Sequence, residues 1–354
     1  MKAIVLCAGR GTRLYPLTLS MSKHLIPVAN KPILFYGLQA IRDAGITEVA
    51  IVVSEPKTDI EEAVGNGSQF DLDITYIVQR DPKGLAHAVK ICEDFIGDSS
   101  FLLFLGDNLI TGGINQFVDY YRKDNPDSLI LLYEVEDPER FGVAELSGKQ
   151  IIRVHEKPKN PPTNLAIIGT YIFDHSIFDA INQLKPSARG EYEITDAIQH
   201  LIDNKKVVEY FKVDGWWKDT GIPDDIIAAN SYMLDSIETE IIGSVDAASK
   251  IHGRVQIGKG TEIVNSTISG PVSIGNNCRI ENSYVGSYCS IGNNGIIEES
   301  EIEHSVVMEN SSIMNIERRI GHSLIGRNIE LRKKKKRPGV NKFILCDNSK
   351  VTLV

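Results

Sequence analysis

Two textures of hydrophobic patterning divide the chain. Up to about residue 240, short apolar runs of strand character alternate with segments of helical period. The runs fall at 3–7, 48–53, 74–78, 101–105 and 128–133. Between them helices are predicted at 32–44, where Pro32 suits a first turn, and at 85–96, where Leu85, Ala88, Val89, Cys92 and Ile96 mark one face. Strands that alternate with helices predict a mostly parallel sheet with helices on both sides and ligands bound outside the carboxyl ends of the strands. From residue 241 a different period takes over. Aliphatic-Gly pairs recur at Ile257-Gly258, Ile274-Gly275, Val285-Gly286, Ile291-Gly292 and Ile325-Gly326, at spacings near six or its multiples. A hexapeptide period predicts a β-helix, in which each turn buries an aliphatic residue that has no cover without its neighbours. The expected domains are therefore 1–240 and 241–354.

Composition adds limits to this picture. A chain of 354 residues with 42% hydrophobic and 24% charged content is long enough for two domains with proper cores. Its net charge of −9 speaks against a general nucleic-acid binder, which needs a basic face. No apolar run approaches membrane-spanning length, and Met1-Lys2 leads straight into a strand, so a cytoplasmic protein without a membrane partner is expected. The five cysteines are scattered and form no C-x-x-C pair, which predicts reduced structural thiols in place of a disulfide framework or zinc site. The basic run Arg332 to Arg337 reads as a solvated connector or an inter-subunit contact.

Candidate chemistry begins at the first strand. AIVLCAGRGTRL runs from Ala3 to Leu14, so that an apolar run containing Leu6 feeds the turn Ala8-Gly9-Arg10-Gly11, followed by Thr12 and Arg13. Glycines at 9 and 11 leave backbone N–H groups open to an anion, and a guanidinium forks onto phosphate oxygens. The loop ends in neither the Gly-Lys-Ser/Thr of a P-loop nor the third glycine of a dinucleotide fingerprint. Asp107 follows the run 101–105, and Asp219 lies in GWWKDTG. Two aspartates from separate loops suit Mg²⁺, which usually keeps waters and takes one or two carboxylates, although either alone could simply close an Asx turn.

The glycine loop, together with SKHLIPVANKPILFY, YIVQRDPKGLAHAV, FLGDNLI, VHEKPKNPPTNLAIIGTYIF, GEYEITDAIQHLI and GWWKDTG, closely resembles the signature of sugar-1-phosphate nucleotidylyltransferases. Within that family the motifs are most similar to the long form of glucose-1-phosphate thymidylyltransferase, and the resemblance covers essentially the whole chain. It implies a Rossmann-like α/β nucleotidyltransferase domain followed by a left-handed β-helix. The implied reaction is an Mg²⁺-dependent transfer of a thymidylyl group from dTTP to glucose 1-phosphate. Another triphosphate, such as UTP, remains open, and a non-catalytic nucleotide-sugar-binding protein is the more distant alternative.

Residue by residue, the resemblance assigns the nucleotide to Leu6, Ala8, Gly9, Gly11, Thr12, Arg13, Lys23, Gln79 and Gly84. The sugar phosphate falls to Asp107, Gly142, Glu156, Lys157 and Tyr171, and the metal to Asp107 and Asp219. Arg13, Lys23 and Lys157 are the catalytic cations. Gln79 carries both a donor and an acceptor, as a pyrimidine edge requires, and Gly84 lets the backbone approach the ring. One departure is His24, which stands where a glutamine often follows the lysine and alters contacts to the triphosphate. His252, His304 and His322 in the solenoid read as surface or stacking residues. The β-helix is expected to serve assembly or regulation, giving a homo-oligomer.

Overall fold

The computed structural model describes residues 1–55 and 58–333. They divide into two compact units, one comprising Met1–Arg10, Ser22–Leu25 and Ile33–Asp219, the other Gly11–Met21, Ile26–Pro32 and the chain from Thr220 onward. Among the described residues no helix is long and apolar enough to cross a membrane. Cys7, Cys92, Cys278 and Cys289 are buried free thiols. Cys346 and the basic run beyond Lys333 lie outside the described residues.

The first unit is built on a nine-stranded sheet. Strands Asp73–Val78, Glu48–Val53, Lys2–Leu6 and Phe101–Leu105 stand side by side in parallel, and all four match the apolar runs of the sequence. Beyond Phe101–Leu105 the sheet is mixed, which corrects the mostly parallel expectation. Leu165–Phe173 runs antiparallel to both Phe101–Leu105 and Ser128–Glu134. Val208–Lys212 is parallel to Ser128–Glu134, and the hairpin of Gly142–Ser147 with Gln150–Glu156 closes the far edge. A two-residue connection between Ser147 and Gln150 forces antiparallel pairing, whereas the earlier strands are separated by helical crossovers.

Both faces of the sheet are covered. On one side Ile4, Leu6, Phe101 and Leu103 join Ala86, Val89, Phe178, Ala197 and Ile198 in one apolar cluster. On the other, helix Ile33–Asp43 presents Gly37 so close to Phe104 that a Cβ there would sit 2.7 Å from its ring. The helix predicted at 85–96 is broken into Leu85–Lys90 and Glu93–Ile96, because the Cys92 amide tightens to a bond with Val89 O at 3.0 Å. Strand Lys2–Leu6 lies between Glu48–Val53 and Phe101–Leu105, so the order of strands reverses beside it. The crevice at the carboxyl ends of Lys2–Leu6 and Phe101–Leu105 is thus a topological switch point.

The second unit winds the chain through three parallel sheets in turn. Val255 pairs with Val272 and Val272 with Cys289, giving a coil of 17 residues, close to three hexapeptides. Ile263, Ile280, Ile297 and Ile313 stack in one sheet and are at most 1% exposed. Asparagines at 265, 277, 282, 294, 310, 315 and 328 turn the corners with positive φ. Their side chains also bridge coils, as where Asn265 Nδ2 donates to Asn282 Oδ1 at 2.7 Å. Helix Pro223–Leu234, which the sequence period groups with residues 1–240, joins this unit through Asn230. Asn230 Nδ2 donates to Tyr288 O at 3.0 Å, and its Oδ1 accepts from Ala29 N at 2.9 Å and Ser290 Oγ at 2.6 Å. Asn30 likewise donates to Ser273 O and Ile291 O, each at 3.0 Å. The imidazoles of His304 and His322 stack with centroids 5.0 Å apart, matching their expected stacking role.

Candidate active site

A cavity of about 240 Å³ opens at the switch point of the first unit. Leu6, Ala8, Gly9, Lys23, Gln79, Gly84 and Asp107 all line it, so seven of the predicted positions are gathered from five segments of chain. Gly84 has φ +105, and a Cβ there would come within 2.6 Å of Tyr192 O. This close approach lets Tyr192 N donate to Lys83 O at 2.8 Å and Ala86 N donate to Tyr192 O at 3.1 Å. The segment around Tyr192 is thereby tied to the Gly84 turn, which brings Glu191 into the cavity wall.

The charged centre of the cavity is a pair. Lys23 Nζ donates to Asp107 Oδ2, with both side chains mostly buried. Burial pushes the Asp107 carboxyl up, but the Lys23 ammonium, the His24 ring and the Lys23 hydrogen bond outweigh it and hold the group below the ordinary carboxylate range. His24 is 1% exposed, and burial followed by the Lys23 charge pushes it down to about 3. It is therefore neutral at physiological pH, with Nδ1 2.9 Å from Ser22 Oγ. His24 lines the cavity beside Lys23, where the sequence marked it as a departure.

Asp219 reaches the same region through a two-stranded ladder. Strand Trp217–Asp219 pairs antiparallel with Asn108–Ile110 and sets Asp219 opposite Asn108, the neighbour of Asp107. The ladder is fixed from its side chains, since Trp217 Nε1 donates to Asn108 Oδ1 at 2.8 Å in a buried bond. Trp217 also meets Phe141 edge-on with centroids 5.3 Å apart.

A second group of residues lies around Glu156. A Cβ on Gly142 would approach Thr195 Cγ2 at 2.9 Å and Glu156 Oε2 at 3.4 Å, so Gly142 is in direct contact with this carboxylate. Thr195 Oγ1 donates to Glu156 Oε2 at 3.0 Å and Arg189 donates to Oε1 at 2.8 Å. Lys157, at φ 42, lies with Nζ 3.6 Å from Glu156 Oε1 and is half exposed. Tyr171 is buried in the apolar cluster, stacked on Phe173 at 5.5 Å, and burial followed by the Glu156 charge pushes its hydroxyl up. Two half-exposed cations thus flank one carboxylate, an arrangement suited to a phosphorylated ligand with hydroxyl groups.

Gly11, Thr12 and Arg13 fall in the second compact unit. Gly11 adopts φ 61 and leads into the short turn Thr12–Leu14, in which Leu14 N donates to Gly11 O at 2.9 Å. Arg13 is exposed there. Sequence reasoning missed Glu191, Arg189 and Thr195. All three lie within or beside GEYEITDAIQHLI, a motif that signals the family without assigning these positions a role.

The nucleotidyl transferase family model matches residues 2–236, and the chain belongs to this family. A glucose-1-phosphate thymidylyltransferase of Streptomyces antibioticus is 45% identical over 100% of this chain and 99% of its own length. One from Streptomyces griseus is 44% identical, with the same coverage. Among solved structures, a Bacillus anthracis chain assigned as a glucose-1-phosphate thymidylyltransferase and crystallised with sucrose superposes with a TM-score of 0.63 at 37% identity. That match covers 68% of this chain and 97% of the Bacillus chain.

Proposed function

We propose that this protein transfers a thymidylyl group from dTTP to glucose 1-phosphate, giving dTDP-glucose and pyrophosphate. The observation that carries the reading is the Lys23–Asp107 pair in a cavity shared with Gln79 and Gly84, in a chain full-length similar to two thymidylyltransferases. A phosphate oxygen of the sugar attacks the α-phosphorus in line. The new oxygen–phosphorus bond forms as the bond to the β-phosphate bridge breaks, and pyrophosphate leaves.

Phosphoryl chemistry of this type asks a protein for alignment and charge neutralisation more than for covalent work. Lys23 supplies a buried positive charge beside the departing pyrophosphate, and the family pattern gives Arg13 the triphosphate. Lys157 takes the sugar phosphate while Glu156 accepts sugar hydroxyls. Asp107 and Asp219 fit Mg²⁺, because two aspartates, one beside a strand and the other opposite that strand's Asn108, offer the one or two carboxylates that a hard cation takes while it keeps waters and shares substrate phosphates. Bound there, Mg²⁺ would neutralise phosphate charge. The C-terminal coils are read as a left-handed β-helix that associates with copies of itself.

Pyrophosphate release from the purified protein with Mg²⁺ and glucose 1-phosphate tests the reading, with dTTP, UTP, CTP, ATP and GTP run in parallel. Fastest turnover is expected with dTTP. Release with none of them, or faster release with another triphosphate, would refute the assignment.

A further inference from the structure

Gln79 is the residue given the base, and the structure limits which end of its amide a base would meet. Its backbone N–H donates to Val53 O at 2.8 Å, which anchors it just past strand Asp73–Val78. The side chain lines the cavity and is 6% exposed. Its Nε2 lies 2.9 Å from His87 Nδ1 and 3.4 Å from Gly84 O. A carbonyl oxygen only accepts, and Nδ1 of a neutral imidazole protonated at Nε2 accepts as well. Both hydrogens of the Gln79 amide are then committed, and among the described residues none donates to Oε1. Burial, and then the Lys83 ammonium, favour the uncharged form of His87 against the opposing pull of Asp81, and the charged residues lining the cavity are Lys23, Asp107 and Glu191.

We propose that His87 is a positioning residue that holds the Gln79 amide with Oε1 toward the base, so that the cavity selects a pyrimidine with a ring N3–H and rejects cytosine. Thymine and uracil present N3–H, which donates to Oε1. Cytosine presents a bare N3, so that two acceptors would face each other and both would lose their partners. Sites that hydrogen-bond a substrate N–H discriminate strongly against analogues lacking it. A donor at position 87 would reverse this. The Gln79 amide would rotate, Oε1 would turn to the new donor, and Nε2–H would face the base, opposed by the longer contact of Nε2 with Gly84 O at 3.4 Å, which the rotation gives up.

The inference rests on the nucleotidyltransferase reading above and is tested with the full-length protein, measuring kcat and KM for dTTP and dCTP with glucose 1-phosphate. His87→Glu can only accept and His87→Lys can only donate, and the two chains are close in length, so a general packing loss falls on both alike. His87→Glu should keep the wild-type preference for dTTP. His87→Lys should lower the dTTP-to-dCTP ratio of kcat/KM by about tenfold or more, with dCTP turnover rising as dTTP turnover falls. His87→Gln, neutral and able to do either, should fall between them and serves if a charge at this partly buried position impairs folding. Equal ratios in the accepting and donating variants would overturn the proposal. So would a Gln79→Ala variant with the wild-type ratio, which would remove Gln79 from base recognition. Absence of turnover with any triphosphate in the wild-type protein is a separate result that refutes the enzymatic reading itself.

Discussion

The α/β unit and the C-terminal coils bury different things. Within the coils the buried polar residues are hydroxyls alone, Thr261, Ser266, Ser273, Ser283, Ser290, Ser300, Ser305 and Ser311, each a neighbour to the next turn of a repeat. Ser266 Oγ, for example, donates to Val264 O and accepts from Ser283 N. In the α/β unit the buried polar residues include Asp107, His24, Glu193 and Gln79, which follow no repeat, and Asp107 takes its partner Lys23 from a distant segment. Repetition gives the coils stability from one rule applied many times. Burying ionisable groups costs free energy unless they are paired, and such groups collect where charge must be handled during a reaction. The two regions therefore separate scaffold from chemistry, and single substitutions should behave differently in each.

The largest contrast is expected at the charged centre. Asp107→Asn removes the partner of Lys23 and one of the two aspartates proposed for Mg²⁺, and should lower kcat by about 10²–10³ or more while the circular dichroism spectrum stays native. Near-normal turnover in that variant would break the division of labour.

Ile297→Ala in the coils should act on stability instead. The side chain is fully buried between Ile280 and Ile313, and its truncation should cost about 2–5 kcal/mol in a denaturant titration of the unit that holds it. A cost below about 1 kcal/mol would mean that the stack tolerates gaps and adds little to the scaffold.

Acid should reveal the paired carboxylates of the α/β unit. Asp127 accepts from Lys206 Nζ at 2.9 Å and Val207 N at 2.7 Å, and although burial pushes its carboxyl up, these bonds hold it below the ordinary range. A depressed folded-state pKa contributes stability that is present above the unfolded value, near pH 4, and is lost as pH falls through the folded one. The stability gap between wild type and Asp127→Ala should therefore shrink between pH 5 and pH 2, as read by urea midpoints. A gap independent of pH would contradict the pairing.

The smallest effect is expected for Arg279 on the coil surface, which pairs with Glu262 at 2.9 Å and Glu281 at 2.7 Å while staying half exposed. Arg279→Ala should leave the denaturant midpoint close to that of the wild type, and closer still in high salt.

Much of this arrangement was legible in the sequence, because strong local patterns dictate it. The four parallel strands are predominantly apolar runs, and the coil period survives as aliphatic-Gly pairs. The antiparallel half of the sheet was not legible. Leu165–Phe173 is as apolar as any parallel strand, and its direction depends on non-local pairing that leaves no mark on its own residues. The cavity residues were found where a loop or strand end carried a family motif. Glu191 and Arg189 were missed because their place depends on a backbone bond between Tyr192 and the Gly84 turn, more than 100 residues earlier. His87 was missed for another reason, since it sits on a predicted helix among face-marking residues and nothing local distinguishes it from a solvated position. Tyr171 lies in the core beside Phe173, on a strand buried along all of its length but Leu165.

The most direct test of the account follows the label of dTTP carrying radioactive phosphorus at the α-position. With glucose 1-phosphate and Mg²⁺, the label should appear in dTDP-glucose, with one pyrophosphate released per labelled product, and the Asp107→Asn protein should form both slower by about 10²–10³ or more. Label recovered in free dTMP or dTDP, or pyrophosphate released without the sugar phosphate, would contradict nucleotidyl transfer to glucose 1-phosphate.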